Sequence, residues 1–281
     1  MEHKEDFFTN NNGKRIYFQC WLPSEQHRGN ILLAHGIGEH SGRYQNFAEF
    51  FTENGIAVFA LDLQGHGKSA GKRGHIPQFH DFVDDLEKLR TETLQDQKDK
   101  PIFVLGHSMG GLIAFLYLLQ YQENVKGAIF SSPALALKMK IPKWKTILGK
   151  IMAKIAPSIT MSNEINADFL SHDKNVVTSY KKDELVHDQV SAGLFSSMME
   201  AMALCSKRGN KITVPALLLL GENDVLIGKE GAQEIFNLIS SENKETVIIE
   251  GAYHEIFNEI DKLKVYKIVL NWLSANIKSM R

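Results

Sequence analysis

Only two cysteines, Cys20 and Cys205, occur in the 281 residues. That is too few for a disulfide framework, and neither stands in a CxxC or Cys/His metal spacing. They read as two buried thiols in a reducing compartment. No uninterrupted apolar run approaches the roughly 18 to 20 residues that cross a bilayer. The opening Met1-Glu2-His3-Lys4-Glu5-Asp6 lacks the basic-then-apolar pattern of a signal peptide, so the expected location is cytoplasmic. Charge of one sign is scarce as well: 32 basic and 33 acidic residues leave a net −1, which gives no global field to recruit nucleic acid. There is no GxGxxG after a strand and no P-loop. His35, His66, His75 and His107 fall in turn motifs and not in metal-ligand spacings. Neither a cofactor nor a metal is expected.

What is present is ordinary globular composition, 43% hydrophobic and 23% charged, at a length that fits one large α/β domain with an inserted subdomain. Strand-like runs at 5–9 and 15–22 flank Asn12-Gly13, a strong hairpin signal. Further runs at 30–35, 56–61, 101–105, 126–130, 215–220 and 245–249 are continuously apolar, as strands covered on both faces must be. Helical patterns at 44–53, 79–94, 109–122, 228–239 and 261–278 alternate with them. The rhythm predicts a mostly parallel eight-stranded sheet with helices on both faces. It breaks between Lys138 and Ile212, where no strand-like run is seen. A helical cap at 138–212 is therefore expected between strands six and seven, dividing a core made of 1–137 and 213–281.

Gly106-His107-Ser108-Met109-Gly110 matches G-x-S-x-G, between an apolar strand and an amphipathic helix. A serine on so tight a strand-to-helix turn adopts a strained backbone, and residues packed against it must lack side chains. The turn also sets Ser108 at a helix N-terminus, whose free N–H groups favour a developing oxyanion. Ser108 is thus the candidate nucleophile. The partners of such a serine follow in the order acid, then histidine. Gly221-Glu222-Asn223-Asp224 follows the next-to-last strand, and Gly251-Ala252-Tyr253-His254 follows the last. His254 is the expected base. Glu222 and Asp224 compete as the acid, and Asp224, further into the loop, is preferred. The oxyanion hole would combine the N–H of Met109 with one from His35-Gly36-Ile37-Gly38, most simply Ile37.

The chain resembles the monoacylglycerol lipase and lysophospholipase family of α/β-hydrolases. Four blocks carry the resemblance: residues 35–44 (HGIGEHSGRY), residues 62–69 (DLQGHGKS), residues 106–111 (GHSMGG) and residues 250–254 (EGAYH). Members commonly carry Ala where this chain has Ile37. The resemblance implies the α/β-hydrolase fold, Asp224 as the acid, and hydrolysis of a lipid-derived monoacyl ester through an acyl-serine. It also implies that Glu39 and Arg43 shape the end of the site that takes a glycerol head group, with Tyr180 near it. An ion pair at helical spacing that orders the loop is the alternative for Glu39 and Arg43.

Residues 138–163 hold six lysines and no acidic residue. Trp144, Ile147, Leu148, Ile151, Met152 and Ile155 repeat at helical spacing, while Lys143, Lys145, Lys150 and Lys154 mostly take the other side. This is the composition of an interfacial helix, so transient peripheral contact with a membrane is expected. A second stripe, Leu194, Phe195, Met198, Met199 and Met202, suits either an acyl tunnel or cap-to-core packing. A lysophospholipase, a general carboxylesterase and a peptidase are the competing enzyme readings. A ligand-binding protein on the same scaffold is the competing class, and it has no need of Ser108, Asp224 and His254 together. Acyl length, head group and oligomeric state carry no signature in the pattern.

Overall fold

The computed structural model describes residues 1–94, 97, 99–138 and 143–278, without the side chains of residues 143–146 and 148. In chain order the first elements are β1 (Glu2–Thr9), β2 (Arg15–Leu22), β3 (Gly29–Ala34), α1 (Gln45–Glu53), β4 (Ile56–Leu61), α2 (Asp81–Leu94), β5 (Ile102–His107), α3 (Met109–Tyr121) and β6 (Gly127–Ser131). An insertion follows: α4 (Lys143–Ile155), β7 (Thr160–Ser162), α5 (Lys174–Lys182), β8 (Gln189–Ser191) and α6 (Ala192–Arg208). The chain then completes β9 (Ala216–Gly221), α7 (Lys229–Asn237), β10 (Lys244–Ile249) and α8 (Lys262–Lys278). Eight strands form one sheet in the order β1-β2-β4-β3-β5-β6-β9-β10. Only β2 runs against its neighbours; β4, β3, β5, β6, β9 and β10 are parallel.

The continuous apolar runs have a direct cause. Ile31, Leu33, Val58, Ala60, Phe103 and Leu105 point to one face, under α1 and α8. Their neighbours Leu32, Ala34, Phe59, Leu61 and Val104 point to the other, under α2, α3 and α6. Alternation places every second residue in a different core, so a strand covered twice has no polar position to spare. At the first hairpin, Asn10 accepts the amides of Asn12 (3.0 Å) and Lys14 (2.8 Å), and Gly13 takes φ 71°. Thr9 pairs with Arg15, so the loop is longer than a two-residue turn.

Two expectations need correction. β10 is an edge strand: Val247 and Ile249 pack against the core under α8, but Lys244, Glu245, Thr246 and Ile248 are exposed. An apolar run alone cannot distinguish an edge strand from a central one. The insertion, expected to be all helical, also holds a short antiparallel pair, β7 with β8. Three-residue strands whose partners lie some thirty residues away leave no periodicity to read. The stripe on α6 packs against the sheet domain: Leu194, Met198 and Met202 join its core, with Phe195 and Met199 against it. No helix among the described residues is long and apolar enough to cross a membrane.

Candidate active site

The strand order brings distant segments together. β3 lies beside β5, β5 beside β6, β6 beside β9 and β9 beside β10. Their registers place Ala34 level with Gly106, His107 with Ser131, and Gly221 with Ile249. The loops that follow β3, β5, β9 and β10 therefore gather at one rim, where open parallel sheets collect their functional groups.

Ser108 alone joins β5 to α3, with φ 53° and ψ −118°, a backbone region L-residues seldom adopt. The packing around it explains the glycines. A Cβ on Gly106 would strike the carbonyl of Gly110, and one on Gly110 would strike the carbonyls of Ala34 and His35. Neither Met109 nor Ile37 has an acceptor for its amide among the bonds of the described residues, so both N–H groups are free at the rim. The loop bearing Ile37 is pinned from three sides. Gly36 N–H donates to Glu39 Oε1 at 2.6 Å, Leu63 N–H donates to His35 Nε2 at 2.9 Å, and His35 Nδ1–H donates to the Gly36 carbonyl at 2.7 Å. Asp62, after β4, accepts from the Ser41 amide and hydroxyl and from the Lys68 amide.

Asp224 and His254 meet: His254 Nδ1–H donates to Asp224 Oδ2 at 2.8 Å. The other oxygen of Asp224 accepts the amides of Leu226 (2.8 Å) and Ile227 (3.1 Å). Glu222, its competitor in sequence, is exposed and caps the Gly251 amide at 2.9 Å. Burial alone would raise the Asp224 carboxyl, yet His254 and the two amides hold it below its ordinary range. Burial alone would likewise depress His254. Asp224 foremost, then Glu255 and Glu39, reverse this and hold the imidazole above its ordinary value.

Ser108, His254, Ile37, Glu39, Tyr180 and Glu255 line one cavity of about 20 Å³, room for about one water molecule. Ile165 and Leu170 close it from the cap. Among the described residues no hydrogen bond joins the Ser108 hydroxyl to His254. Such bonds commonly tighten only once substrate is bound.

The residues expected at the head-group end sort themselves by contact. Glu39 and Tyr180 reach the cavity wall, while Arg43 is held behind them. Its guanidinium bonds Glu39 at 2.7 Å and Glu255 twice at 2.6 Å, and stacks under the Tyr180 ring at 4.7 Å. Sequence reading did not find Glu255 or His107. His107 bonds Ser131 Oγ at 3.0 Å and lies 4.8 Å from the His254 ring. Burial, then the neighbouring His254, depresses His107 to about 4. Position next to Ser108 and next to His254 was the signal available for both.

A serine on a strained strand-to-helix turn, two free amides beside it and a bonded aspartate–histidine pair at the same rim define an α/β-hydrolase. Residues 25–261 match the family model described as serine aminopeptidase, S33, and the chain belongs to that family. A monoacylglycerol lipase of Mycolicibacterium smegmatis is 34% identical over 274 residues, 97% of this chain and 98% of that protein. The phospholipase YtpA of Bacillus subtilis is 32% identical over 243 residues, 84% of this chain and 92% of that protein. The crystal structure of a Paleococcus ferrophilus monoacylglycerol lipase superposes with a TM-score of 0.83 at 32% identity, covering 98% of this chain and all of that one.

Imidazole titration by NMR tests the electrostatics. His254 should titrate above its ordinary 6.5 and His107 near 4. Asp224→Asn removes the main upward pull and should bring His254 down; an unmoved His254 inflection would contradict this account.

Proposed function

We propose that the chain hydrolyses monoacylglycerols to fatty acid and glycerol through an acyl-Ser108 intermediate. His254, bonded to Asp224 and lining one cavity with Ser108, is the observation that carries this reading. With Nδ1–H given to Asp224, Nε2 is left to accept a proton. Ser108 Oγ attacks the ester carbonyl carbon while its proton passes to His254 Nε2. The amides of Ile37 and Met109 receive the negative oxygen of the tetrahedral intermediate. As the carbon–oxygen bond to the alcohol breaks, the proton on Nε2 moves to the departing glycerol oxygen. Water then attacks the acyl-serine in the same manner, returns its proton through His254, and releases the fatty acid. Asp224 fixes the tautomer and stabilises the imidazolium. Glu39 and Tyr180 form the wall facing the alcohol, with Arg43 holding both in place.

The cavity of about 20 Å³ beside Ser108 is too small for an acyl chain, and the reading places the entry of that chain between the cap and the sheet domain. α4 is suited to a lipid surface. Ile147, Ile151 and Ile155 are 60%, 48% and 76% exposed, Ile159 and Met161 just after the helix are exposed as well, and so are Lys150 and Lys154 on the same helix. Three or more neighbouring apolar side chains in water with cations alongside suit an anionic membrane surface. Trp144 and Leu148 of the expected stripe, and Lys143 and Lys145 of the expected basic side, lie outside the described side chains. A lysophospholipase would run the same steps with a phosphodiester in the leaving alcohol.

Ser108→Ala and Asp224→Asn should lower kcat for a long-chain monoacylglycerol by about 10⁶ and 10⁴. Wild-type kcat/KM should fall as pH drops through the His254 value, because only the neutral imidazole accepts the proton. Hydrolysis undiminished in Ser108→Ala would contradict the mechanism. Co-sedimentation with anionic liposomes should weaken with salt and be lost on Ile151→Glu with Ile155→Glu. Equal sedimentation of that variant would remove the membrane contact from the proposal.

A further inference from the structure

The wall of the cavity that faces the leaving alcohol carries an unbalanced charge. Glu39 and Glu255 are 3% and 5% exposed and both line it. They share a single guanidinium. Arg43 Nη1 bonds Glu39 Oε2 at 2.7 Å and Glu255 Oε1 at 2.6 Å, while Nη2 bonds Glu255 Oε2 at 2.6 Å. Two carboxylates against one guanidinium leave one negative charge over. Asp224 lies at the same rim, bonded to His254, and adds a further negative charge only while that imidazole is neutral. Among the described residues no lysine or arginine lines the cavity. Lys138, exposed, reaches the backbone carbonyl of Asp224 from outside. The remaining donors to the two carboxylates are neutral: the Gly36 amide and the Tyr44 hydroxyl on Glu39, and the Asn258 amide on Glu255.

We propose that this excess charge acts as a filter on the alcohol portion of the substrate. It admits neutral and cationic alcohols and rejects those bearing a phosphate, and Glu255 is the specificity-determining residue that sets its sign. This inference rests on the esterase reading above and adds what that reading leaves open, the class of head group. The physics is elementary. Charges a few ångströms apart in a site screened from water interact far more strongly than in solution. Without Glu255, Glu39 and Arg43 would form a neutral pair, and a phosphate would meet no net charge there. The field that repels phosphate also helps hold a proton on His254, since Glu255 and Glu39 both pull that imidazole upward after Asp224. An imidazolium next to two carboxylates is stabilised, and a phosphate next to them is not.

The test compares kcat/KM of the full chain on oleoyl esters that differ in charge, presented in uncharged detergent micelles. One pair is monooleoylglycerol and oleoylglycerol phosphate. The other is the isosteric pair 2-(dimethylamino)ethyl oleate, cationic at neutral pH, and 3-methylbutyl oleate, neutral. The phosphate ester should be about tenfold or more poorer than monooleoylglycerol, and the cationic ester several-fold better than its isostere. Glu255→Gln, which keeps an oxygen for Arg43, should shrink both ratios towards one; reading ratios cancels any general loss of activity. Should that variant fail to fold, the wild-type isosteric pair alone decides. Equal constants within that pair, a phosphate ester turned over as fast as monooleoylglycerol, or ratios unchanged in Glu255→Gln would overturn the proposal. Failure to hydrolyse any of the four esters would overturn the esterase reading itself, and the filter with it.

Discussion

The contact between the Ser108 turn and the end of β3 constrains everything else at the rim. A serine at positive φ costs on the order of 1–3 kcal/mol, and it persists because its surroundings leave no alternative. The amides of Gly111 (2.9 Å) and Ala134 (2.8 Å) bond its carbonyl, and its own amide bonds Ser131 at 3.0 Å. Gly110 is pressed so closely on Ala34 and His35 that any side chain there would force β3 and α3 apart. The same approach sets the loop after β3 against the Ser108 turn, so that Ile37 shares the cavity wall with Ser108. In the proposed mechanism one steric arrangement thus serves both the nucleophile and the oxyanion donors.

Around that turn the buried polar groups form a second layer, which links segments far apart in the chain. Glu39 pins the Gly36 amide and joins Arg43, Arg43 joins Glu255, and Glu255 follows His254 directly. The loops after β3 and β10 and the cap tyrosine therefore meet at one guanidinium. Breaking a buried pair leaves an uncompensated charge, so these loops are held to one another as much as to the sheet. The cap is fixed by different means. α6 shares the apolar core, while α4 presents isoleucines to solvent. The polar side of the site is thus tied together by buried ion pairs, while α6 holds the cap by apolar packing.

Much of this architecture was legible in the chain because its causes are local. Two-sided burial writes itself into a strand as an unbroken apolar run, and the turn at Ser108 demands glycines at fixed offsets. The order of the acid and the histidine follows from strand order. What stayed hidden depends on partners remote in sequence. Arg43 and Glu255 are 212 positions apart, and no pattern at either end announces the other. Glu222 and Asp224 differ by two residues, and only the loop's path exposes one and turns the other to His254. The short β7–β8 pair and the bare side of β10 were missed for the same reason: pairing and edge position belong to the whole sheet and not to any segment of it.

The central claim is that Ser108 is the reacting group and that its strained turn makes it so. Labelling the folded protein with a fluorophosphonate, followed by digestion and mass spectrometry, tests it most directly. The account predicts a single adduct on the peptide that carries Ser108, formed in step with loss of ester hydrolysis. An adduct on another side chain, or full inactivation with Ser108 unmodified, would contradict it.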